Sequence, residues 1–211
     1  MNEELKKLVA QLNWKVTEDE VNNIVNKLGE NVEKSKYGVK YYRVLMELVC
    51  NKVDEELNLE ESEVEYKGLV LGGLAFTSAV IWTAGGAVYY RIIVTKTKIY
   101  SYSFDNFFKL VGKFEYDLSE VKEIKIAESG QDGIIPYEGY QIVFNDGKIV
   151  ILYSINKFSI KDLENLKDAL VLGGVSYRKL KTKKIATAYF IMTVIAVIAV
   201  IVSGIKVCLS I

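Results

Sequence analysis

The chain has no histidine among its 211 residues, one proline and two cysteines. Without histidine the commonest general base is missing, and with it the usual nitrogen ligand of zinc and copper sites. Cys50 and Cys208 are too few for a disulfide framework and form no metal-ligand pattern, which suits a reducing compartment. No phosphate-cradling glycine loop and no nucleophile elbow occurs. Asp117 and Glu120 could form an acid/base pair, but their place at a strand end reads as ordinary surface charge. The expectation is a protein without catalytic residues, cofactor or metal. The amino terminus, "MNEELKKLVAQLNWK", has interspersed charges and no continuous apolar core, so it does not read as a signal peptide.

Charge is absent from two long stretches. Residues 185–205 contain none over 21 positions, which as a helix rising about 1.5 Å per residue would match the roughly 30 Å of a bilayer core. The preceding "RKLKTKK" holds Arg178, Lys179, Lys181, Lys183 and Lys184, whereas only Lys206 follows. That asymmetry places the basic flank, and the bulk before it, in the cytosol, with the five cations against the membrane surface. The sequence reading is therefore a single-pass membrane protein, with residues 176–184 as a basic juxtamembrane linker. Ala199 and Ser203 give the span a small-xxx-small pair through which it could self-associate. Residues 68–90 are also uncharged, but five glycines and β-branched and aromatic runs about Gly85-Gly86 favour two strands over a second span.

What is present is a change of period along the chain. Residues 1–60 read as a helical extension. Thr17 and Glu20 make a capping box ahead of Val21, Ile24, Val25 and Leu28, and Gly29 is the stop. Tyr41, Leu45, Leu48, Val49 and Val53 form one apolar stripe, so the two helices are expected to pack together. Alternation then takes over. "RIIVTKTKIYSYSF" turns at Thr95–Lys98, "KFEYDLSEVKEIKI" restarts at Val121, and "YQIVFNDGKIVILY" is a hairpin about Asn145-Asp146-Gly147. One amphipathic helix follows, with Ser159 as its cap, Ile160, Leu163, Leu166 and Leu170 on its apolar face, and Gly173 as its end.

The order "VTKTKIYSYS", "YDLSEVKEIKI", "DGK" and a terminal helix ending at Gly174-Val175 resembles the bacterial pleckstrin-homology-like (PH-like) domains over residues 64–175. The resemblance implies an α+β chain: N-terminal helices, an antiparallel barrel or sandwich of about seven strands capped by one helix, then the span. Lys98 stands where the family usually has Arg, and residues 68–90 lack the basic cluster that phosphoinositide binding would need. Lys96, Lys98, Lys109 and Lys113 are scattered among acids, and nucleic-acid binding is not expected. What remains is a membrane-anchored, non-catalytic adaptor presenting a protein- or ligand-binding surface at the cytosolic face, with Trp82 as a possible partner contact. The alternative is an accessory subunit of a multi-spanning complex. The expected partners are the bilayer and an unknown protein.

Overall fold

The structure, a computed structural model, describes residues 2–33, 40–72, 88–128, 138–154 and 157–180. Its N-terminal part is helical: α1 (Glu3–Val9), α2 (Glu18–Leu28) and α3 (Tyr42–Leu57). Local signals set these bounds. The Asn2 side chain accepts the Leu5 N–H at 2.8 Å, and Thr17 and Glu20 form the reciprocal capping box read from the sequence. Gly29 ends α2 at φ +52°, a conformation that carries a steric cost for any residue with a Cβ.

Eight strands follow: β1 (Val64–Gly72), β2 (Val88–Thr95), β3 (Lys98–Phe104), β4 (Leu110–Asp117), β5 (Val121–Glu128), β6 (Glu138–Phe144), β7 (Ile149–Ser154) and β8 (Tyr177–Leu180). Helix α4 (Lys157–Leu172) lies between the last two. They form one mixed sheet ordered β4-β3-β2-β1-β7-β6-β5-β8. All pairings are antiparallel except β5 with β8. The halves meet at β1 and β7, where the described residue pairs are Leu71↔Tyr153 and Gly72↔Leu152. A Cβ on Gly72 would stand 2.5 Å from the Ile151 carbonyl oxygen, so the seam closes only over glycine. The sheet curls strongly: β6 lies five places from β4, yet Phe144 packs on Phe114 and Tyr116 with ring centroids 5.5 and 4.3 Å apart.

Each face of the β1–β4 half has its own core. Tyr90, Ile92 and Val94 of β2 point inward to Ile124, Ile142, Leu152 and the Leu163, Leu166 and Leu170 stripe of α4. Tyr89 and Ile93 point the other way, with Tyr102 and Phe104 of β3, into a second core shared with Leu45, Leu48, Val49 and Val53 of α3. The helical stripe thus packs as its spacing predicts, and covers one face of the sheet as well. Each fully buried Leu, Ile or Val contributes about 1.5–3 kcal/mol of transfer free energy.

Three expectations are corrected. Among the described residues the architecture is a single eight-stranded mixed sheet with four α-helices, not a seven-stranded PH-like barrel closed by one helix. The missed strand, β8, lies where a linker was expected: Ile124↔Tyr177 through Ala127↔Leu180 are parallel pairs. Its sequence, "YRKL", has no apolar alternation to announce it, because an edge strand can carry charge on its exposed side. The membrane span finds no support among the described residues. Among the described residues no helix is long and apolar enough to cross a membrane, and residues 185–205 lie outside them. The longest helices, α3 and α4, have 16 residues each, about 24 Å of rise, and bury one apolar face in the cores. The uncharged stretch 68–90 does begin and end in strands, β1 and β2, while residues 73–87, including Trp82 and Gly85-Gly86, lie outside the described residues.

Helix α4 starts at Lys157, before the expected cap at Ser159. It ends in a Schellman motif: Val175 N–H donates to Leu170 O at 3.0 Å and Gly174 N–H to Val171 O at 2.9 Å. Gly174, not Gly173, takes the left-handed position at φ +90°. Val175 and Leu170 are both buried, the apolar contact that accompanies this motif.

Candidate functional site

The conspicuous polar groups of the domain converge where the last two turns of α3 meet the sheet. Three carboxylates in succession, Asp54, Glu55 and Glu56, end this helix. Both Asp54 oxygens accept from Arg91 Nη2 of β2, at 2.7 and 2.9 Å. Arg91 is 8% exposed, and its Nε is buried without a hydrogen-bond partner among the described residues. Lys67 of β1 stands 3.8 Å from Asp54 and also pairs with Glu61. Two residues on, Glu56 accepts from Lys113 of β4 at 2.8 Å, from the Tyr102 hydroxyl of β3 at 3.2 Å and from the Trp14 indole at 3.4 Å. The Lys113 ammonium chiefly holds the Glu56 carboxyl below the ordinary carboxylate range. Burial, with Glu56 beside it, pushes the Tyr102 hydroxyl up to about 12. One helix end thereby grips β2, β3 and β4 through charge-assisted hydrogen bonds and β1 through a longer ion pair.

The thiol beside this cluster is inert. Cys50 of α3 is pushed up to about 11, chiefly by burial, so it carries no thiolate at neutral pH. Among the described residues no group of His, Cys, Asp and Glu could hold a metal ion. Asp117 and Glu120, weighed as an acid/base pair, cap the short 3₁₀ turn Leu118–Glu120: the Asp117 N–H donates to Glu120 Oε2 at 2.9 Å. Lys98 pairs with Glu115, and Lys113 is the Glu56 partner already described, so two of the scattered lysines are tied into ion pairs.

A second cluster lies at the β6–β7 turn, where Gly147 takes φ +87° and the Phe144 N–H donates to Lys148 O at 2.9 Å. Lys148 Nζ sits 3.8 Å from the centroid of the Phe114 ring, a close cation–π contact across the curl of the sheet. Burial lowers the Lys148 pKa. Asp146 accepts from the Tyr116 hydroxyl, which together with the turn backbone lowers the Asp146 pKa.

The third feature is the surface formed by the end of α4 and β8. Leu172 is 75% exposed, Tyr177 51% and Val171 37%; Phe107, Val111 and Ile149 are exposed elsewhere on the described surface. Lys167 Nζ lies 5.8 Å from the Tyr177 ring and ties the helix to the strand. Of the five cations expected at a membrane surface, two are described. Arg178 forks onto Glu123 of β5, with Nε–Oε2 2.7 Å and Nη2–Oε1 3.2 Å, and so fastens β8 to the sheet. Lys179 is exposed on the same strand and has a partner of its own. Lys181, Lys183, Lys184 and Trp82 lie outside the described residues. The sequence reading missed the grip of α3 on the sheet, since Asp54 and Arg91 are 37 residues apart and nothing local pairs them. The one available signal was an arginine inside an otherwise apolar strand, "RIIV", which a buried position tolerates only with a counter-charge.

No family model and no curated protein matches the chain. The PH-like resemblance therefore gains no support from family comparison, and the sheet order described above replaces it. Among solved structures the chain is similar to the hSac2 domain from human phosphoinositide phosphatase Sac2, with TM-score 0.43 and 11% identity over 64% of this chain and 90% of that one.

Proposed function

We propose that the chain is a non-catalytic binding module that presents a protein-binding surface at the cytosolic face of a membrane. The observation that carries this reading is the α4–β8 surface. Leu172 and Tyr177 are open to solvent, and β8 runs directly into the lysine-rich residues 181–184. Exposed apolar groups rimmed by charge are the mark of an interaction site. Anionic lipids concentrate on the cytosolic leaflet, and each nearby Lys or Arg gains about 1 kcal/mol there. The strand that precedes these lysines in sequence, β8, is fixed to the sheet by its pairing with β5 and by the Arg178–Glu123 fork. The polar clusters support the same reading, since the α3 carboxylates are engaged in holding helix to sheet. A phosphatase domain at TM-score 0.43 lends no argument for an activity in this chain.

Fractionation of cells making the full-length chain tests the location. The expected result is recovery with membranes, diminished when Lys181, Lys183 and Lys184 are all changed to Glu. Recovery of the unaltered chain in the soluble fraction would contradict the reading.

A further inference from the structure

The two edges of the sheet differ. β8 is four residues long, whereas β4 has eight and pairs only with β3 among the described residues. No residue of β4 is buried. Its first donor, the Leu110 N–H, is taken by Asn13 Oδ1 at 3.1 Å. Beyond that point no described strand pairs with the outer N–H and C=O groups of β4, which form a template for another strand. Val111, Lys113, Glu115 and Asp117 line its solvent side, while Gly112, Phe114 and Tyr116 alternate on the other.

We propose that β4 pairs antiparallel with β4 of a second copy of this chain, about a two-fold axis at Phe114. The side chains select both partner and register. With Phe114 on the axis, Lys113 faces Glu115 of the partner subunit, and by symmetry Glu115 faces Lys113 of the partner subunit. The bare backbone of Gly112 lies opposite Tyr116 of the partner subunit, a cross-strand arrangement in which an aromatic ring covers glycine. Sliding the register by two residues sets Lys113 against its own copy in one direction and Glu115 against its own copy in the other. A one-residue slip puts solvent-side residues opposite core-side ones. The slip that opposes Glu115 to its own copy also faces Lys113 with Asp117 of the partner subunit, so it keeps two opposite-charge contacts but adds the Glu115 repulsion; the in-register pairing makes two such contacts with no like-charged pair. These extend existing ion pairs, Lys113 with Glu56 and Lys98 with Glu115, into a network across the axis. Lys113 and Glu115 keep side-chain exposures of 61% and 51% in the single chain, so both are accessible to a partner.

Sedimentation velocity of the full-length chain over a concentration series reads the result. The unaltered chain is expected to dimerise. Lys113→Glu and Glu115→Lys, each of which places two like-charged pairs across the axis, are expected to weaken the dimer about tenfold or more. The double exchange restores opposite charges and the dimer. Thermal unfolding of each variant separates lost pairing from lost folding. Register is read by mixing a Lys113→Cys chain with a Glu115→Cys chain under mild oxidation. A disulfide forms between the two variants and not within either alone, because directly opposed residues meet disulfide geometry while diagonal ones lie about 7–8 Å apart. A chain that stays monomeric at every concentration would overturn the proposal, its edge charges then serving to repel strands. So would a dimer that neither single variant weakens, or one that the mixed disulfide fails to trap.

Discussion

Asp54, in the last turns of α3, places both carboxylate oxygens on a single guanidinium nitrogen of Arg91, at 2.7 and 2.9 Å, on a strand buried on both faces. The pair joins the helical layer to the sheet, and the two residues depend on it unequally. The Arg91 side chain is 9% exposed and Asp54 35%, so loss of the acid strands a buried cation, whereas loss of Arg91 leaves an acid in contact with water. Asp54→Ala is expected to destabilise the domain by about 2–3 kcal/mol. Combining Asp54→Leu with Arg91→Met is expected to recover most of that, since an apolar pair leaves no buried charge. Chemical denaturation of both variants measures the difference. A double variant no more stable than Asp54→Ala would show that the pair does more than neutralise Arg91.

The Glu56 contacts make part of the stability pH-dependent. Lys113, first among its partners, lowers the Glu56 pKa from the ordinary 4.5 in the folded chain. A carboxylate with a depressed folded pKa stabilises fully above its unfolded value and loses that contribution as pH falls through the folded value. Glu56→Gln is therefore expected to melt below the unaltered chain from neutral pH down to about 4.5, with the gap closing at lower pH. For so exposed a pair the gap corresponds to about 0.5–1 kcal/mol. Melting curves across pH check this, and a gap that widens on acidification would refute it.

The seam between β1 and β7 rests on Gly72. A Cβ there meets the Ile151 carbonyl oxygen at 2.5 Å and the Tyr90 ring at 2.3 Å. The ring can turn aside, but the backbone carbonyl belongs to β7 and cannot. Gly72→Ala is expected to cost about 1–3 kcal/mol, the range of overpacked cores, and to raise amide exchange first at Leu152 and Tyr153. Unchanged exchange in β7 would mean that the halves are held together elsewhere.

The local elements were legible where one chemistry dominated a short window. The Thr17–Glu20 box, the Tyr41–Val53 stripe and the Asn145-Asp146-Gly147 turn each follow from neighbours within a few residues, and each stands in the structure. β8 was not legible, because "YRKL" gains its strand character only from β5, some fifty residues earlier. Its charges suited a linker equally well. The Asp54–Arg91 pair escaped for the same reason: long-range pairing has no signature in either segment alone. The span at residues 185–205 rested on length and hydropathy without tertiary context. Among the described residues, the helices with apolar stripes spend them on two cores, and residues 185–205 lie outside those residues. Of the surface residues named in advance, Arg178 proved to be a fastening of the sheet. Leu172 carries no signal in the sequence, because a leucine at a helix end is ordinary until its exposure is seen.

Site-specific photo-crosslinking in living cells probes the proposed partner-binding surface on α4 and β8. A photoreactive residue is placed at Leu172, at Tyr177 or at Ile149, which is 49% exposed but lies on β7, away from this surface. One adduct of the same mass is expected from positions 172 and 177, recovered with membranes, and none from 149. Equal labelling at all three positions, or no adduct at 172 and 177, would contradict the proposed surface.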